Sequence, residues 1–250
     1  MPVSAPSSGM DLRRDIHEKS NIHVWRLPLA LGRVTMQDSA DMRLLSVPER
    51  ARAHRFLRLE PRLQFIRTRA AARRLLGLYL DREPAQIAIA SGEFGKPFLP
   101  SPLEAWLQFN ISHALGYALV AVRRELSVGV DIEKVHHDFD WESLAYNFFA
   151  PDERAALSRR PAADRRRAFF ACWTRKEALV KAVGRGLHIP PKSFALPMED
   201  GFCTASVEAT SWSLGEISVP AGYVAAFAAE GQIVRLQYFD HGSGRGHKAQ

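Results

Sequence analysis

Asp131 and Glu133, two residues apart in Gly129-Val-Asp-Ile-Glu133, are the sharpest chemical signal in this sequence. On a strand, residues i and i+2 project from one face, so the pair offers oxygen ligands to one hard cation while Val130 and Ile132 anchor the strand in a core. The same five residues also suit a solvent-facing strand end. A second signal is Trp173-Thr-Arg-Lys-Glu-Ala-Leu-Val-Lys181, in which Trp173, Glu177 and Lys181 recur every four residues and share a helical face. A Glu177–Lys181 pair is an ordinary surface ion pair worth ~0.3–0.5 kcal/mol. With Lys176 beside it, the same stretch sets two ammonium groups around one carboxylate, an arrangement that grips a metal-bound diphosphate. Asn110-Ile-Ser-His113 follows a predicted strand and reads either as turn chemistry or as a hydroxyl, an imidazole and backbone amides for phosphate oxygens. Phe94-Gly-Lys-Pro97 adds a turn with Lys96 at its tip.

In order and spacing these elements resemble the phosphopantetheinyl transferase superfamily over roughly residues 45 to 190. The family's Gly-Lys-Pro, Asn-x-Ser-His, Gly-(Val/Ile)-Asp-x-Glu and Trp-(Ser/Thr)-x-Lys-Glu-(Ala/Ser)-x-x-Lys elements stand here as Gly95 to Pro97, Asn110 to His113, Gly129 to Glu133 and Trp173 to Lys181. Its Phe-Phe-x-x-x-Glu stretch stands as Phe148 to Glu153. Short holo-acyl-carrier-protein synthases have one such unit per chain and work as trimers. A chain of 250 residues has room for two, so this one resembles the surfactin-type branch, pseudo-dimeric and monomeric.

The resemblance implies that Asp131, Glu133 and Glu177 hold Mg²⁺, with Mn²⁺ a substitute, and that coenzyme A is the co-substrate. It gives Lys176 and Lys181 to the diphosphate, Ser112 and His113 to the cofactor's phosphates, and Lys96 to its nucleotide end. Arg50 and Arg52 occupy the region that holds the 3′-phosphate in the family. The implied reaction is attack by a carrier-protein serine on the β-phosphorus, releasing adenosine 3′,5′-bisphosphate. A carboxylate near the metal would take the serine proton, with Glu153 and Glu177 as candidates ahead of Glu133, whose charge is committed to the metal. Glu177, Glu153 and Lys181 are thus the expected catalytic set.

These residues need elements to position them. A strand is predicted at Ile22–Leu27, helical sequence follows Ser46 with Pro48 in its first turn, and a long helix spans Arg62–Leu80. Strands are predicted at Ile87–Ala90, Leu107–Asn110, Tyr117–Val122 and Ser127–Glu133. Helices follow at Trp141–Phe149, Pro151–Leu157 and Arg165–Val183, then strands at Phe194–Leu196, Ala205–Glu208, Gly215–Val219 and Tyr223–Ala228. Val47-Pro-Glu-Arg before one long helix is echoed by Pro151-Asp-Glu-Arg before the other, a sign of internal duplication. The expected fold is α+β, with two similar lobes related by a pseudo-twofold. Residues 21–125 form the first lobe and 126–240 the second, with the metal site in the second and a ligand crevice between them. Residues 1–20 and 241–250 are expected to be a mobile segment and a flexible tail.

Composition bounds the partners. With 46% hydrophobic residues the chain can bury a sizeable core, and Lys and Arg outnumber Asp and Glu by 34 to 27, a formal charge of +7 that favours anionic partners. Cys172 and Cys203 have no redox or zinc spacing. No secretory signal or membrane-length apolar run is visible, so the expected place is the cytoplasm, with no membrane partner. The family's partners, apo acyl or peptidyl carrier proteins, are acidic, and a docking surface is expected between Lys134 and Ala150, where His136, His137, Phe139 and Trp141 mix charge with aromatic area. Two other readings use the same residues. Arg67, Arg69, Arg73 and Arg74 along one helix, with the run Arg165 to Arg167, would suit a nucleic-acid binder, but no zinc spacing, aromatic RNA motif or helix-turn-helix accompanies them, and no nucleic-acid partner is expected. A metal-dependent phosphohydrolase would use the same carboxylates with water as nucleophile.

Overall fold

The structure is a computed structural model and describes residues 12–136, 138–199, 201–233, 235–240 and 246–248. In chain order, α1 (Leu12–Asp15) and β1 (Asn21–Pro28) are followed by three helices, α2 (Met36–Leu44), α3 (Val47–His54) and α4 (Leu59–Leu80). Short strands β2 (Ala90–Ser91) and β3 (Pro97–Phe98) precede β4 (Leu107–Ala114), β5 (Tyr117–Arg124) and β6 (Val128–Lys134). Then come α5 (Trp141–Phe148), α6 (Pro151–Arg159) and α7 (Ala162–Val183). The described chain closes with β7 (Cys203–Val207), β8 (Thr210–Glu216), β9 (Tyr223–Glu230), β10 (Arg235–Asp240) and β11 (Gly246–Lys248). The architecture is mixed α+β, as expected.

Two main sheets run β11-β10-β1-β5-β4 and β6-β9-β8-β7. Alternation along the strands gives each sheet two apolar faces, and Ile22, Val24, Leu119, Val130, Ile132 and Phe227 fill the space shared by both. Helix α4 covers the far face of the first sheet through Leu75, Leu76 and Tyr79, and α7 covers that of the second through Ala178, Leu179 and Ala182. The sheets meet at the edges of β4 and β6, where side chains replace a backbone ladder. Asn110 Oδ1 accepts from Val130 N at 3.0 Å and Ser112 Oγ from Ile132 N at 3.3 Å.

Each half places a short capped helix before a 22-residue helix and uses one glutamate twice. Glu49, third in α3, accepts from Ser46 N at 2.9 Å and pairs with buried Arg73 of α4 at 2.6 Å. Glu153, third in α6, accepts from Ala150 N at 2.7 Å and pairs with buried Lys176 of α7 at 2.9 Å. Both Glu–cation pairs fasten the short helix to the long one.

Several expectations need correction. Leu12 and Ile16 are buried in the first core, so the folded body begins before residue 21, because two apolar side chains one helical turn apart suffice to dock it; residues 1–11 lie outside the described residues. Helix α4 begins at Leu59, and α7 at Ala162. Of the strand expected at Ile87–Ala90 only Ala90 is in a strand, at the start of β2, and Phe194–Leu196 is loop, since Ile87 and Leu196 are buried singly rather than in alternation. Strand β10 went unpredicted; it pairs parallel with β1 and so carries the second half's chain back into the first sheet. Of the expected tail, residues 246–248 pair with β10, and 241–245 and 249–250 lie outside the described residues. The basic face of α4 is an ion-pair seam, with Arg67 on Asp38 at 2.6 Å, Arg74 on Asp41 at 2.5 Å and Arg73 on Glu49. Those charges are spent within the protein, which removes the ground for a nucleic-acid surface there.

Candidate active site

Strand β6 and helix α7 build the site because glycine lets them touch. Val128, Val130 and Ile132 point into the shared core, which turns Gly129, Asp131 and Glu133 toward α7. A Cβ at Gly129 would lie 2.1 Å from the carbonyl oxygen of Ala178 and 2.5 Å from the nitrogen of Ala182. Only hydrogen fits, so the helix backbone lies directly on the strand. That contact brings the helical face carrying Trp173, Glu177 and Lys181 beside the two strand carboxylates.

Lys181 Nζ donates to Asp131 Oδ1 at 2.5 Å and to Ser112 Oγ at 3.1 Å, while the Ser112 hydroxyl donates to the same Asp131 oxygen at 2.9 Å. Asp131 is 3% exposed, and its other oxygen, Oδ2, is buried without a hydrogen-bond partner. Burial, then the charges of Asp131 and Glu177, push the Glu133 carboxyl up to about 7, against the pull of Lys181 and of a hydrogen bond from Trp173. Glu177 is raised by burial and by Asp131. Burial opposes the Lys181 ammonium, yet Asp131, Glu177 and Glu133 together raise its pKa. The site therefore gathers three carboxylates around one ammonium, with more negative charge than Lys181 can offset.

An orphaned buried carboxylate oxygen and two destabilised glutamates fit a hard divalent cation with oxygen ligands. Among the described residues, no three His, Cys, Asp or Glu side chains converge as a ready ligand set, and the Lys181 ammonium supplies the local counter-charge instead.

A cleft of about 250 Å³ opens on this cluster, lined by Phe94, Lys96, Asn110, Ile111, Glu177 and Lys181. Lys96 Nζ donates to Ala182 O at 2.7 Å, and burial lowers its pKa to about 8. The left-handed Gly184 that ends α7 makes room for Lys96, whose Cδ would stand 2.9 Å from a Cβ there. A larger cavity of about 470 Å³, lined by Phe202, Cys203 and Arg235 among others, contains none of the residues with this chemistry.

Further along β4, three residues beyond Asn110, His113 Nδ1 lies 2.7 Å from Gln64 Nε2. Burial, then the charges of Lys181, Arg69 and Arg52, push the His113 pKa down, so these cations share one neighbourhood. Arg52 and Arg69 flank the ring of Phe65 at 5.1 and 5.8 Å, and Arg50 is tied to the Leu45 carbonyl. Neither Arg69 nor Gln64 was singled out for this site from sequence. The signal for Arg69 was its spacing of four from Phe65, whose ring it covers.

Two expected site residues stand elsewhere. Lys176 is 0% exposed, and its three donors go to Pro191 O and Phe194 O, each at 2.7 Å, and to Glu153 at 2.9 Å. Glu153 is 1% exposed and also accepts from Ala150 N and Leu196 N, both at 2.7 Å. Lys176 precedes Glu177 by one residue, roughly 100° around the helix, so the two side chains leave different flanks of α7. Neither a diphosphate contact for Lys176 nor proton abstraction by Glu153 fits this burial.

Residues 127–228, which span the β6–α7 site, match the family described as the 4'-phosphopantetheinyl transferase superfamily. The 4'-phosphopantetheinyl transferase HetI of Nostoc sp. is 38% identical over 213 residues, covering 84% of this chain and 88% of its own length. The chain belongs to the 4'-phosphopantetheinyl transferase superfamily. A 4'-phosphopantetheinyl transferase of Bacillus subtilis is 29% identical over 69% of this chain and 73% of its own, and Sfp of Bacillus subtilis (strain 168) is 27% identical over 64% and 70%. Transferases of this family thus resemble the chain across both halves of the site, on the β4 side as well as on β6 and α7.

Proposed function

We propose that this transferase moves the phosphopantetheine arm of coenzyme A onto a serine of an acidic acyl or peptidyl carrier protein in the cytoplasm, releasing adenosine 3′,5′-bisphosphate. The observation that carries the reading is the buried, unpartnered Oδ2 of Asp131, with Glu133 and Glu177 close enough to feel its charge and Glu177 lining the cleft. Asp131, Glu133 and Glu177 would hold Mg²⁺, which when bound polarises phosphoryl oxygens and neutralises diphosphate charge. Lys181, tied to Asp131 and Ser112, is placed to donate to a diphosphate oxygen from the same point. With Glu153 buried, Glu177 is the candidate that lines the cleft, where it would take the serine proton directly or through a water. The serine oxygen bonds to the β-phosphorus, the diphosphate P–O bond breaks, and the electron pair leaves with the bisphosphate.

The chain works as a monomer, with two α+β halves related by a pseudo-twofold. Shared use of Glu49 and Glu153, and a site drawn from β4 in one half and β6 and α7 in the other, support this. The carrier docks on α5 and α6. Tyr146 there is 72% exposed with the Arg154 guanidinium 5.0 Å over its ring, and Trp141, Leu157 and Arg165 line the adjoining groove. Phe139 is also exposed, while His137 lies outside the described residues. An apolar groove rimmed by arginines matches an acidic helical partner, and added salt weakens the pairing.

Incubation with Mg²⁺, coenzyme A and an apo carrier is expected to add the arm to the carrier, read as a mass gain. Consumption of coenzyme A without a carrier would instead establish a phosphohydrolase, and no reaction across a panel of carriers would refute transfer.

A further inference from the structure

Gln64 of α4 is 8% exposed and reaches the turn between β4 and β5 with both ends of its amide. Its Oε1 accepts from Gly116 N at 3.3 Å, and its Nε2 lies 2.7 Å from His113 Nδ1. The Gly116 contact fixes the amide, because a rotated side chain would set its NH₂ against the Gly116 N–H, donor to donor. Nε2 must then donate to His113, and Nδ1 must accept. A neutral imidazole that accepts at Nδ1 carries its proton on Nε2. Burial, with the charges of Lys181, Arg69 and Arg52 added to it, lowers the ring's pKa against a hydrogen bond to its own backbone, and so favours the neutral ring. With Nδ1 held by Gln64, Nε2 is the ring nitrogen left for a ligand.

We infer that Gln64 is a positioning residue that locks His113 in its Nε2–H tautomer, so that the ring offers one N–H donor to an anionic oxygen of the bound cofactor. The opposite tautomer would aim a lone pair at that oxygen. Only the identity of the ligand rests on the proposed function; the tautomer does not.

The test uses the full chain, ¹⁵N-labelled, with His113 assigned by its disappearance from spectra of His113→Asn. Two-bond ¹H–¹⁵N correlation at neutral pH is expected to find the proton on Nε2. Gln64→Leu should mix the tautomers and weaken coenzyme A binding, measured by calorimetry without a carrier, by about ten-fold. Gln64→Glu keeps an acceptor for Gly116 and draws a second proton to Nδ1. It should raise the His113 pKa, retain Nε2–H and recover most of the affinity lost in Gln64→Leu, which a merely space-filling role would not produce. A proton on Nδ1 in the parent protein, or unchanged tautomer and affinity in Gln64→Leu, would overturn the inference. Failure of the parent protein to bind coenzyme A would refute the ligand assignment while the spectra still decide the tautomer.

Discussion

Two lysines five residues apart on α7 have opposite fates, and the difference is a matter of which flank each occupies. Lys176 closes a buried pair with Glu153, whereas Lys181 stands at the cleft on Asp131. Removing one partner of a buried pair leaves an uncompensated charge, so Lys176→Met should lower stability by about 3–5 kcal/mol. Denaturant titration checks this, and Lys176→Met with Glu153→Gln should recover part of the loss. Lys181→Ala strips the ammonium from buried Asp131, so it should lower the denaturation midpoint as well as reduce transfer by on the order of 10²–10³ in kcat, and the circular dichroism of the parent separates the two effects. Asp131→Ala and Glu177→Ala are expected to abolish transfer with the far-ultraviolet circular dichroism of the parent; full activity in either would refute the metal assignment. The sequence held the clue for Lys176. Phe169, Cys172, Lys176 and Leu179 recur at spacings of three and four and form the buried face of α7, so the lysine sits on a stripe that otherwise reads as core.

At the scale of elements, the site depends on β6 and α7 lying backbone to backbone. Gly129→Ala forces a methyl group against Ala178 and Ala182, and the overpacking should cost about 1–3 kcal/mol. Separation of the two elements would also carry Glu177 away from Asp131, so transfer should fall more than thermal stability does, as paired melts and rate measurements would show. The strand and the helix were both legible in sequence, through alternation in one and spacing of four in the other, and so was the shared face of Asp131 and Glu133. Their contact was not, because a glycine in a strand reports only that something comes close, without naming it. The Asn110 and Ser112 links to β6 were illegible for a related reason. Side chains that bridge two sheet edges leave no periodic trace.

Across the whole molecule, the cores of the two halves are joined by long-range pairings that local patterns do not encode. His23 illustrates one consequence. It is 0% exposed, with Nδ1 2.8 Å from the Tyr79 hydroxyl and its ring against Phe239 of β10. Burial depresses its pKa from 6.5 to about 4, outweighing the opposing influences of Asp15 and Gln237, while Arg235 adds to the depression. The unfolded chain therefore binds the proton more readily than the folded one. Stability from this group is complete above about pH 6.5 and declines as pH falls toward 4, by about 3 kcal/mol in all. Denaturation midpoints at pH 7 and pH 4.5 measure the loss, and His23→Gln should flatten that part of the pH dependence.

Strand β1 is completed on one side by β10, and the Arg26–Asp240 ion pair that seals this junction joins residues 214 positions apart. During synthesis at 5–20 residues per second, the growing chain waits about 10–40 s between making one partner and the other. For that interval a hydrophobic strand has an open edge in the crowded space beside the ribosome, where any passing β-segment can pair with it. The nascent protein thus has its greatest need of a chaperone before the last strand emerges from the exit tunnel, long after Asp131, Glu133 and Glu177 have been made.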